Sequence, residues 1–115
     1  MSNDSSNIAK TVNLFDSVTD EEYDQCKETL FDFTTSQIGK GLQDLRDRHD
    51  LSQVKLAEKI KATGVALSDK SISKLENGKI KKRARVIVYT VIILKLFNQD
   101  ISSFKSSVIL SDKSK

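Results

Sequence analysis

Between residues 70 and 85 the chain carries seven basic side chains, Lys70, Lys74, Lys79, Lys81, Lys82, Arg83 and Arg85, against one acid, Glu76. Scattered lysines that merely solubilise a chain give no such cluster. Clustered cations are the electrostatic signature of a surface that neutralises phosphates. The stretch is led by Ser68-Asp69-Lys70-Ser71-Ile72-Ser73-Lys74-Leu75. Here Ser68 is placed as a helix N-cap, Ile72 and Leu75 share an inner face, and polar side chains look outward from the first turn. A capped helix of this kind fits the major groove of duplex DNA, where its N-terminal side chains meet base edges. No catalytic grouping is legible. His49 is the sole histidine, Cys26 has no nearby histidine, and neither a glycine-rich phosphate loop nor metal-ligand spacing occurs. The expectation is a binding protein without enzymatic activity, metal or cofactor.

The individual side chains keep alternatives open. Asp69 repels phosphate, so it either caps its helix or accepts a hydrogen bond from a cytosine amino group. Lys70 and Lys74 are either base-facing or ordinary solvated lysines, and Ser71 is either a reader or a second cap. The 81–85 run reads as a sequence-independent phosphate clamp or a minor-groove reach. Cys26 reads as a small packing residue and His49 as a surface residue at a helix exit.

These groups must be held by a scaffold, and the chain predicts a helical one. Residues 1–18 are a polar arm, with Leu14 and Phe15 as tethers. Thr19 and Glu22 form a capping box, with Val18 and Tyr23 as its hydrophobic staple. The acids Asp20, Glu21 and Glu22 suit the first turn of a helix. Tyr23, Cys26, Leu30 and Phe33 continue at helical spacing, predicting a helix over 20–33. Its acidity suits packing, dimerisation or partner binding better than DNA. Ile38, Leu42 and Leu45 predict a helix over 36–48. Ser52 caps a third, with Val54, Leu56, Ala57 and Ile60 on its apolar side. Gly64 falls in the next turn, and Gly78 sits where a helix end needs a left-handed residue.

The stretch RARVIVYTVIILKLF at 83–97 is β-branched, but fifteen residues without a turn signal predict a helix. It is apolar on more than one face, which suggests a subunit interface. Residues 101–107 predict a short last helix, 108–110 a short strand or frayed end, and the final residues a solvated tail.

The bulk properties agree with this outline. One hundred and fifteen residues, 37% of them hydrophobic, make one domain with an arm. The net charge of +3 conceals a division. Residues 1–36 hold eight acids and two lysines, net −6, while 37–115 hold seventeen basic residues and eight acids, net +9. A single cysteine excludes an internal disulfide. With no export-signal pattern at the N-terminus and an apolar run too short to span a bilayer, a soluble cytoplasmic protein is expected.

Gln53, the block Leu56-Ala57-Glu58-Lys59, and Ile72-Ser73-Lys74-Leu75-Glu76-Asn77-Gly78-Lys79 together resemble the helix-turn-helix of the phage Cro/repressor, or Xre-type, regulators. The resemblance covers residues 38–104. It implies an all-α fold of five short helices at 36–107, to which an acidic helix at 19–35 is added, with a tail at 108–115. It also implies a homodimer on a palindromic operator, a transcriptional regulator and repressor. Asp69, Lys70, Ser71 and Lys74 would then face bases. Ser52, Gln53, Asn77 and Lys79 would contact phosphate, joined by Lys81, Lys82, Arg83 and Arg85. Arg46 would pair with Glu76 to lock the motif. The connection between Ile60 and Ser68 is about five residues longer than the family's turn, and the segment after Gly78 is longer and more basic. An alternative of another class is an antitoxin that binds a toxin, or a protein that meets an antirepressor, while autoregulating through the same motif.

Overall fold

A computed structural model describes residues 14–113, with side-chain surroundings for 16–111. The expectations for the arm before Leu14, and for Leu14 and Phe15 as tethers, lie outside what is described. A 3-10 turn at Leu14–Ser17 leads into six α-helices: α1 (Asp20–Thr29), α2 (Thr35–Arg48), α3 (Gln53–Lys61), α4 (Asp69–Glu76), α5 (Arg83–Leu96) and α6 (Ile101–Lys113). No strand occurs among the described residues.

α5 is the axis of the molecule. Every residue from 86 to 94 is buried, because α1, α2, α3 and the 3-10 turn all pack on it. Its apolar faces are therefore covered by the chain's own helices. That corrects the expectation that this helix forms a subunit interface. Thr90, the one polar residue in the run, donates its hydroxyl to the Val86 carbonyl at 2.7 Å. No single described helix is long and apolar enough to cross a membrane.

α1 begins as the sequence requires. The Thr19 amide donates to Glu22 Oε1 at 2.9 Å, and the Glu22 amide to Thr19 Oγ1 at 3.0 Å. Lys95 of α5 closes on the same carboxylate at 3.1 Å. The helix stops at Thr29 rather than at Phe33, because Leu30 turns fully into the core while Phe31 is left 75% exposed. A second capping box follows at once: Thr34 and Gln37 exchange bonds of 2.8 and 3.1 Å and start α2. Thr34 must be extended to cap, so the preceding helix has to end before it.

α2 buries Ile38, Leu42 and Leu45 together with Gly39 and Gly41. Gly39 marks a close crossing, since a Cβ there would strike the Leu75 carbonyl oxygen and come within 2.8 Å of that of Glu76. α3 is capped by Ser52, whose hydroxyl accepts from the Lys55 amide at 3.1 Å. Leu56 and Ile60 are buried, but Val54 is 51% exposed. The inward role expected of Val54 is thus corrected: two residues from Leu56 is about 200° around a helix, on the opposite side.

The long connection to α4 is anchored rather than loose. Gly64 turns it at φ 95°, and Val65 and Leu67 drop into the core. α6 runs to Lys113, which corrects the expected strand or fray at 108–110. Asp100 accepts from the Ser102 and Ser103 amides at its start, and Val108 is buried.

Candidate nucleic-acid interface

The candidate interface is built on α4. Ser68 Oγ accepts from the Ser71 amide at 3.1 Å and lies 3.2 Å from Ser71 Oγ. Ser68 therefore supplies the cap, and Ser71 is held half-buried beside it. Among the described residues Asp69, Lys70 and Lys74 have no side-chain hydrogen bond or ion pair, and all three are exposed. At the other end, Gly78 adopts φ 68°, and the Gly78 and Lys79 amides bond to the Leu75 and Lys74 carbonyls. This is a Schellman closure. Ser36 packs against Gly78 so tightly that a side chain there would collide with it.

The inner side of α4 is fixed by Ile72 and Leu75, both buried, and by an ionic bolt. Arg46 meets Glu76 through two parallel bonds, Nε to Oε2 at 2.7 Å and Nη2 to Oε1 at 2.8 Å. Its Nη1 donates to the Leu51 carbonyl at 2.7 Å, and Asp47 stands at 3.3 Å. Gln53 Nε2 donates to Glu76 Oε1 at 2.9 Å. The bonds from Glu76 hold the Arg46 guanidinium in its charged form, raising its pKa against the opposing effect of burial. One carboxylate of α4 thereby fastens the end of α2 and the start of α3. Leu51, Asp47 and the Gln53–Glu76 bond complete a cluster of which sequence supplied only the Arg46–Glu76 pair.

Beside α4 opens a groove of about 340 Å³ whose walls bring together Lys74, Lys79, Lys81, Lys82 and Arg85. Ser71, Ile80 and Tyr89 complete its lining. Four of these five cations belong to α5's first turn or the segment before it, where no side chain caps the helix. Uncapped amides and the positive end of the helix dipole add to the anion-attracting field.

The expected phosphate contacts divide in the structure. Ser52, Lys79, Lys81, Lys82 and Arg85 are exposed. Arg83 points elsewhere: half-buried, it donates through Nη2 to the Leu30 carbonyl at 2.8 Å and closes the end of α1. Asn77 folds its amide back onto the Ser73 carbonyl at 2.9 Å, and the Gln53 amide is engaged by Glu76. These three carry structural bonds that sequence did not foresee. Tyr89 and Ile80 were missed as groove residues, since only the meeting of α4 with α5 brings them there.

Comparisons with protein-family models, with curated proteins and with solved structures gave no match to this chain.

Proposed function

We propose that the chain is a sequence-specific duplex-DNA-binding regulator of transcription, built as a Cro/repressor-like helix-turn-helix, acting as a homodimer on a palindromic operator and repressing. α3 and α4 are its motif, and α4 is the helix that enters the major groove. One observation supports this reading: α4 is locked from behind by Ile72, Leu75 and the Glu76 bolt, while its outward Asp69, Lys70 and Lys74 are exposed and unpaired, and Lys74 forms part of a five-cation groove. Lys70 and Lys74 match the O6 and N7 acceptors of guanine, and Asp69 matches the cytosine amino group. Lys79, Lys81, Lys82 and Arg85 neutralise the adjoining backbone.

The test is selection of bound sites from a random duplex pool by the purified full chain. The expected result is one motif in two inverted copies, centred about ten base pairs or a multiple apart. A pool that returns no enriched sequence would sink the proposal.

A second reading is favoured by α1, whose outward face holds Asp20, Glu21, Asp24 and Glu28 and is followed by exposed Phe31. Such a surface repels DNA and suits a basic protein partner, as an antitoxin requires. A stoichiometric partner retained by the native chain and lost on Phe31→Ser would support it.

A further inference from the structure

A second groove, of about 470 Å³, lies on the other side of α4's first turn, between α4 and the outer face of α3. Val54, Ala57 and Ala66 give it an apolar wall, and Ser68, Asp69 and Ser71 border it. Ser71 lines the cationic groove as well, so the two depressions meet along the same turn of helix. Their chemistry differs. The second groove has one cation, Lys61, against Glu58 and Asp69, and nothing in it concentrates phosphate. Val54 stands 51% exposed one residue into α3, an apolar β-branched side chain where a polar one would cost the fold nothing.

We propose that this notch receives the C5-methyl group of a thymine, which makes Val54 a specificity-determining residue. The proposal rests on the DNA-reading role of α4. The major-groove edge of DNA offers donors, acceptors and a single apolar feature, the thymine methyl. An apolar wall continuous with Asp69 and the capped end of α4 is matched to that feature and not to the sugar-phosphate backbone. Asp69 and Val54 then read neighbouring positions by different means, one through a hydrogen bond and the other through exclusion of water from a methyl group.

The experiment uses the full chain and the site recovered from the random pool. Each thymine is replaced singly by deoxyuridine, which lacks only the methyl. At one thymine in each half-site the replacement is expected to weaken binding about fourfold, the effect of one buried carbon. In Val54→Ala the same replacement is expected to change affinity by less than about 1.5-fold. Thermal unfolding should not move to lower temperature in this variant, since the site is half exposed and alanine favours helix. The inference is overturned if every thymine tolerates deoxyuridine, if the recovered half-site has no thymine, or if the penalty persists at full size in Val54→Ala. A motif without methyl sensitivity removes only this inference. A pool without any motif removes the DNA-reading role along with it.

Discussion

Glu76 is the residue on which the candidate interface turns. It is buried, and it accepts from Arg46 twice and from Gln53 once. Glu76→Gln keeps the shape but removes the buried counter-charge of the Arg46 guanidinium, leaving it only the exposed Asp47 carboxylate at 3.3 Å. A loss of about 3 kcal/mol is expected in urea unfolding, the usual cost of breaking one side of a buried pair. Lys70 and Lys74 should behave in the opposite way, because nothing in the fold depends on them. Lys70→Ala and Lys74→Ala are each expected to leave unfolding unchanged and, on the proposed DNA-reading role, to weaken binding to the selected site about 10- to 100-fold. Binding to random duplex should fall far less. If anisotropy titrations showed the same loss on both DNAs, these lysines would be phosphate contacts and not readers.

At the level of elements, α1 is tied to the core by groups whose charge depends on pH. The Thr19 amide, and after it Lys95, hold the Glu22 carboxyl below its ordinary value of 4.5 against a partial desolvation. A depressed carboxylate adds stability that is present above the unfolded value and is lost as pH falls through the folded one. Unfolding followed from about pH 5 to about pH 3 should therefore show a steeper decline in the native chain than in Glu22→Gln. Equal slopes would mean that the bond from Thr19 and the Lys95 pair add nothing. Local signals made this element and its neighbours readable. Thr19, Ser52, Ser68 and Gly78 each act within a few residues, and each does what its position requires. The end of α1 was less readable because Phe33 continues the helical spacing, whereas the Thr34–Gln37 box overrides it. The length of α6 depends on Val108 packing at Gly41, and the seat of α4 on Gly39. Both glycines matter only through neighbours distant in sequence.

For the whole molecule, charge is sorted by place. The acidic α1 lies against α5, and the start of α5 carries the cations, with Arg83 joining the two. On the proposed function, replacing Lys81, Lys82 and Arg85 together by alanine should lower the log–log salt slope of DNA binding by about 0.9 for each phosphate left without its cation, about 2.7 for all three. Specific and random DNA should suffer alike, and an unchanged slope would show that the groove holds no phosphate. The charge division was plain in the sequence. The enclosure of α5 was not, because a helix apolar all round looks the same whether its own chain or a second copy covers it. One consequence follows from the two-sidedness of α4. Ile72, Leu75 and Glu76 bear the architecture, while Asp69, Lys70 and Lys74 bear none of it. On the proposed reading, the target sequence can therefore be rewritten by exchanging a few outward letters, with no debt in folding to be settled first.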